Sequence, residues 1–261
     1  MSYRRTFLQL VNMSVRQRFE HRRNVLSQTL LQLVNFCFLI IFIEIIFSRV
    51  HSVAGWSGDQ MQFLGALAQI SSIIYSSFLA SGVSRLQESV RTGGFDFYLL
   101  KPLDAQVHCA FSRFNPVPLL GLSGPVVWIF FLVLKRDLSI SWGMTPIAFA
   151  LLIASVSIRY SFGIGTAVLS FLLTKVSALQ SLQASLLSQS HYPVAIYSGW
   201  IKVFTLYMIP VALMANVPAA LLLNGNIDSR TFILLGYSTL SLLGSRLLYL
   251  KLVGKYASAS S

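Results

Sequence analysis

Residues 85–104 read RLQESVRTGGFDFYLLKPLD. The run carries Arg85, Glu88, Arg91, Asp96, Lys101 and Asp104, a Gly93-Gly94 break, and Pro102 after two leucines. It is the longest run in the middle of the chain that cannot sit in lipid, because ionised side chains at bilayer depth are costly. Apolar stretches long enough to cross a bilayer, about 20 residues each, lie on both sides of it. A compact charged insert between two spans is either a docking element or an ordinary loop. The residues alone leave both readings open.

The rest of the composition agrees with a membrane setting. Of 261 residues, 55% are hydrophobic and 11% charged, and the mean hydropathy is +0.68. Soluble domains carry about 25% charged residues. The length is used up by about six spans and their links, so residues 1–261 are expected to form one all-α integral membrane domain. The net charge of +12 does not point to nucleic acid. The basic residues flank apolar spans, where they set orientation, and no soluble basic groove is offered.

Residues 2–24 place Leu8, Val11, Val15 and Phe19 at steps of three and four, with arginines mostly elsewhere on the wheel. This predicts an amphipathic interfacial helix with a basic face. A solvated tail is the plainer reading. No cleavable signal peptide is evident, and residues 25–47 are expected to form span one. Glu44 lies near its far end, either reaching for headgroups or facing protein or a water-filled path. Residues 61–83 form span two, rich in the Ser and Ala that let helices approach closely. Residues 117–134 form span three. Span four runs from about 144 to 174, with Arg159 near its middle. An intramembrane arginine is by default a functional candidate needing a partner. Glu44 is the nearest carboxylate in expected depth; exposure of Arg159 to water at Gly163 and Gly165 is the alternative.

Residues 176–190 open span five. The pattern then changes: residues 191–225 are apolar but broken by Pro193, Pro210 and Pro218. Proline removes a backbone donor. Short re-entrant helices buried against protein suit this stretch, and a kinked sixth span followed by a seventh is the competing count. The last span is residues 231–249. With six spans and the N-terminus inside, fourteen basic residues fall inside (4, 5, 16, 18, 22, 23, 85, 91, 101, 113, 175, 246, 251 and 255) and five outside (49, 135, 136, 202 and 230). That split favours cytoplasmic termini and a cytoplasmic 85–104 insert.

Catalytic motifs are missing. There is no G-x-x-x-x-G-K-[ST], no H-E-x-x-H and no G-x-S-x-G string. The histidines at 21, 51, 108 and 191 have no metal spacing, and Cys37 and Cys109 fit neither a disulfide nor a metal cluster. No metal site is expected, and no enzyme activity in this chain.

The whole pattern resembles the permease subunits of ABC-2 type exporters, closest to the six-span bacterial branch that includes viologen-exporter-like proteins. The carrying residues are Phe19-Glu20-His21-Arg22-Arg23-Asn24 before span one and Gly94-Phe95-Asp96-Phe97-Tyr98-Leu99-Leu100-Lys101-Pro102-Leu103 after span two. His191-Tyr192-Pro193 with Tyr197, Ile209-Pro210 and Val217-Pro218-Ala219 complete them. His191 departs from the arginine expected there. The resemblance implies that residues 85–104 hold a cytoplasmic coupling helix docking on a separate ATPase subunit through Glu88, Arg91, Gly94, Asp96, Phe97, Leu99, Leu100, Lys101 and Pro102. It implies that Tyr192, Pro193, Tyr197, Pro210 and Pro218 belong to an outer gate. It further implies a second permease, identical or related, a bacterial inner-membrane location, ATP and Mg held by the partner ATPase with no cofactor in this chain, and ATP-driven export. A secondary carrier driven by an ion gradient is the alternative. Such a carrier calls for inverted repeats and midplane ionisable groups, of which only Glu44 and Arg159 are candidates.

Overall fold

The structure is a computed structural model that describes residues 22–53, 55–100, 104, 106–108, 114–169, 177–192, 198–208 and 210–254. The expected interfacial helix at 2–24 lies almost wholly outside these residues. So do Lys101, Pro102, Pro193 and Tyr197.

The described chain is all-helical. Its elements are α1 (Arg22–Phe47), α2 (Gly58–Tyr75), a π-turn (Ser76–Ala80), α3 (Ser81–Arg91), α4 (Asp96–Leu99), α5 (Val117–Leu120) and α6 (Ser123–Lys135). Then follow α7 (Thr145–Val168), α8 (Ser177–Ser188), α9 (Gly199–Val203, continued by a π-turn over Phe204–Met208), α10 (Val211–Asn224) and α11 (Ser229–Val253). Among the described residues five helical stretches are long and apolar enough to cross a membrane: Arg23–Phe47, Gly58–Val90, Val117–Lys135, Trp142–Val168 and Ser229–Val253. The α9–α10 pair, bent by 78°, makes a sixth if counted as one broken span.

Local chemistry sets several of these limits. Ser57 and Gln60 form a reciprocal capping box that starts α2. Asp228 caps α11 through the Ser229 N–H. Helix α10 stops at Gly225, whose φ of 69° a side chain would resist.

Contacts define two ends of the bundle. At the Arg136 end, Arg136 bridges Glu44 (3.2 Å) and Asp59 (3.7 Å), and the Ser141 N–H donates to the Leu222 carbonyl at 2.8 Å. At the Asp104 end, Asp104 pairs with Arg246. Phe95, fully buried, joins Leu86, Val90, Ile164, Val168 and Leu252 in one apolar cluster there.

The core sits around α10, which is buried along almost its whole length and packs on α2, α7 and α11. Helix α1 lies outside the bundle, its apolar side chains mostly exposed. It approaches α5 and α6 over Gly121 and Gly124, where a Cβ would fall 2.0 Å from Gln32 and 2.9 Å from Leu33. Small residues permit this close packing.

Two expectations change. Span two does not end near residue 83. Its helix continues through the π-turn and α3 to Arg91, because Val83, Leu86 and Val90 give the charged stretch an apolar face that packs on α7 and α11. The insert proper therefore begins after residue 91. Residues 176–190, expected to open span five, do not cross on the described residues alone. Helix α8 has 12 residues, about 18 Å, shorter than a bilayer core. It lies antiparallel to α7, with Thr166 donating to Gln183 at 2.8 Å and Arg159 to Ser190 at 2.8 Å. Helix α10 begins near Ser155, which donates to Met214, and ends at the Arg136 end. The passage between the two ends is thus shared by α8 and α10.

Candidate docking end and buried polar centre

The Asp104 end is built from α3 outward. Helix α3 ends at Arg91, and Gly93 takes φ 76°. That left-handed turn reverses the chain so that Phe95 drops back into the core and its N–H reaches the Ser89 carbonyl at 3.0 Å. Gly94, the glycine expected to matter, sits where a Cβ would meet only ordinary contacts at 3.6 and 3.9 Å.

The next residues form α4, a single turn. Arg85 Nε donates to the Tyr98 hydroxyl at 2.7 Å and ties this turn back to α3. With Phe95 inside, Phe97 (72% exposed), Leu99 (47%) and Leu100 (81%) face outward. Glu88 is exposed on α3 and Asp96 opens α4, so an apolar tip stands beside charged residues.

A polar staple holds this end together. Arg246 Nη1 donates to Asp104 Oδ1 (3.0 Å) and to Gln106 Oε1 (2.9 Å), while Nη2 engages Asp104 Oδ2. Gln106 Nε2 donates to the Tyr160 hydroxyl at 3.4 Å. Burial would push the Asp104 carboxyl up, but the Arg246 guanidinium and the Val107 and Gln106 N–H groups outweigh it and hold the carboxyl below its usual range.

Glu44 and Arg159, weighed as partners from sequence, are not brought together. Glu44 turns to protein at the Arg136 end, accepting from Arg136 (3.2 Å) and from Gln62 Nε2 (2.6 Å). Gln62, 1% exposed, in turn accepts from the Trp128 indole at 3.1 Å. Arg159 is 3% exposed and donates to Ser190 Oγ at 2.8 Å. It lies within electrostatic reach of Tyr75 and His191. His191 Nδ1 donates to the Ser188 carbonyl at 2.9 Å, and its Nε2 lies 3.4 Å from Gln69 Oε1.

The expected gate residues divide. The Tyr192 carbonyl accepts from Asn216 Nδ2 at 3.1 Å. Asn216 also lines a cavity of about 570 Å³ at the Arg136 end, with Trp56, Asn224, Asp228 and Arg230. Pro210 precedes α10, and Pro218 lies buried inside it. Proline at 218 has no N–H for the Met214 carbonyl, and the Ser155 hydroxyl lies between that carbonyl (2.7 Å) and the Leu151 carbonyl of its own helix (2.8 Å), with one hydrogen for the two. Sequence reasoning missed Ser155, Tyr75, Ser190 and the Asp104–Arg246 pair. The only signal was polarity inside or beside an apolar run.

The sequence profile of the ABC-2 family transporter proteins matches residues 33–260. The chain belongs to that family. Comparison with curated proteins gave no match. An ABC-2 family member of this form, with its apolar crossing helices, is a multi-pass membrane permease of an ABC transporter. ABC-2 permeases generally work with an ATPase subunit.

Proposed function

We propose that this chain is the permease subunit of an ATP-driven exporter in a bacterial inner membrane, with its Asp104 end and both termini in the cytoplasm. The observation that carries the reading is the apolar tip Phe97, Leu99 and Leu100, held out from the bundle by the Gly93 turn and the buried Phe95. Exposed apolar anchors rimmed by charge suit a protein groove. The groove is that of a separate nucleotide-binding subunit, which holds ATP and Mg. Glu88 and Asp96 stand beside the anchors, and the family resemblance adds Arg91, Gly94, Lys101 and Pro102 to the docking set. The sequence count of fourteen basic residues expected inside against five outside supports this orientation.

Two permeases, identical or related, and two ATPase subunits form the working unit. ATP binding draws the ATPase subunits together and moves the α4 turn. Phe95, Leu86 and Val90 pass that motion to α7 and α11, and the unbroken run α2–α3 passes it toward α10. Tyr192, Pro193, Tyr197, Pro210 and Pro218 form the exit that then opens.

The test is co-purification from native membranes in mild detergent with a C-terminal tag. A stoichiometric soluble protein bearing a Walker A motif is expected with the wild type. Leu100→Asp should lose that protein while its own membrane level stays unchanged. Normal substrate-stimulated ATPase activity in the Leu100→Asp complex refutes the docking assignment. Transport that survives ATP depletion and collapses with an ionophore identifies a secondary carrier instead.

A further inference from the structure

Arg159 is the only charged side chain in the buried set of described residues. A guanidinium presents five N–H donors and a full charge. Here Nη2 has one neutral acceptor, Ser190 Oγ, and the buried Nε has none. Four of the described carboxylates are paired with other arginines: Glu44 and Asp59 with Arg136, Asp104 with Arg246, Asp228 with Arg230. Its polar surroundings come from two further elements. Tyr75 ends α2 just before the π-turn, a feature frequent at functional sites. Ser190 and His191 follow α8. Ser190 spends its own hydrogen on the Leu187 carbonyl at 2.8 Å, so it orients Arg159 and leaves the Nε edge unmet.

Arg159 lies 14 residues into α7, about 21 Å from Thr145, well inside the crossing helix. The chain after His191 continues toward the Arg136 end. His191 is followed by Tyr192, whose carbonyl takes the Asn216 amide, and Asn216 opens on the 570 Å³ cavity. Burying an uncompensated charge at this depth is expensive, and such residues mark ligand or ion sites. A planar guanidinium with a free edge fits a phosphate, sulfate or carboxylate.

We propose that Arg159, positioned by Ser190 and flanked by Tyr75 and His191, is an intramembrane recognition site for an oxyanion. The ligand is either the anionic head of an amphiphile or a free anion. Its export along the Tyr192–Asn216 line rests on the permease reading; its binding does not.

The experiment uses the purified full chain in neutral detergent, without any ATPase, so that it is independent of the docking assignment. Thermal unfolding is followed by tryptophan fluorescence during titration with dihexanoyl phosphatidylglycerol, dihexanoyl phosphatidylcholine or inorganic phosphate. The wild type and Arg136→Gln should be stabilised by the anionic probe and not by phosphatidylcholine. Arg159→Lys keeps the charge but loses the fork, and should weaken the effect about tenfold or more. Arg159→Met should abolish it and, by removing an uncompensated charge, raise the unfolding temperature of the ligand-free chain. Stabilisation by phosphatidylglycerol alone assigns an amphiphile, and stabilisation by phosphate as well assigns a free oxyanion. The proposal fails if neither anion stabilises the wild type, if phosphatidylcholine acts equally, or if Arg159→Met keeps the response. It also fails if Arg159→Met unfolds below the wild type or does not fold, since Arg159 is then a structural residue.

Discussion

Single residues repair what the sequence breaks. Pro218 leaves the Met214 carbonyl without its helical donor in the middle of the core, and the Ser155 hydroxyl on α7, shared with the Leu151 carbonyl, lies within donating distance of it. Ser155→Ala should therefore cost roughly 1–3 kcal/mol, the penalty for a buried unsatisfied carbonyl. The cost should shrink in a Pro218→Ala background, where the restored N–H reaches Met214 itself. A double-mutant cycle on thermal unfolding checks this, and additive effects would show that Ser155 acts on something else. Asp104 gives a pH signature. Its carboxyl is held below the usual range in the folded protein, so its contribution is full above the ordinary carboxylate pKa. It is lost as pH falls through the lowered value. Asp104→Asn should be destabilised relative to wild type by about 1 kcal/mol or less near neutrality, since the pair is part-exposed, and the difference should vanish in strong acid. A difference that persists there points to packing rather than charge. From sequence, Arg159 was visible as a costly residue and Asp104 as one charge among several. Their partners were not, because Ser190 lies 31 positions from Arg159 and Arg246 lies 142 from Asp104. No local pattern marks such a pair.

Among the elements, the charged stretch after span two shows where sequence reading works and where it stops. Hydropathy ends the span where charges begin, yet Val83, Leu86 and Val90 keep an apolar stripe that carries the helix on to Arg91. The stripe is legible once helical spacing is applied beyond the apolar run. What the spacing does not reveal is which of two adjacent glycines turns the chain. Gly93 has φ 76°, whereas Gly94 has an ordinary backbone and room for a methyl group. Gly93→Ala should cost about 1–2 kcal/mol from the left-handed conformation. It should also displace the Phe97–Leu100 tip, reducing co-purification of the ATPase. Gly94→Ala should change neither. Equal loss from the two variants would mean that the pair acts as a flexible hinge, not as one fixed turn. Helix α8 tells the same story from the other side: composition marked it as the opening of a span, while the prolines of residues 191–225 left short buried helices and a kinked span both open for the stretch that holds α10.

At the scale of the whole molecule, the fold class was legible because hydrocarbon imposes a length rule on every crossing segment. How the chain returns between α7 and α11 was not, since prolines are compatible with both a kinked span and a re-entrant pair. Contacts narrow it. The Ser141 N–H bonds to Leu222, and a Cβ on Gly225 would meet Ser141 at 2.6 Å, so the α10–α11 turn and the α6–α7 loop share one end. Asp104, bound to Arg246 seventeen residues into α11, belongs to the other. In a Cys37→Ser, Cys109→Ser background, Asp137→Cys and Asn226→Cys should react with an impermeant maleimide on the outside of intact cells. Ser181→Cys and Asp104→Cys should react only after permeabilisation. If residues 177–224 made a complete hairpin from one face, Asn226→Cys would behave like Asp104→Cys and unlike Asp137→Cys. Labelling of Asn226→Cys together with Asp137→Cys, and of Ser181→Cys with Asp104→Cys, fixes one net passage through α8 and α10. That passage brings the chain past Arg159 and out beside Asn216, which is the geometry an export path through this segment requires.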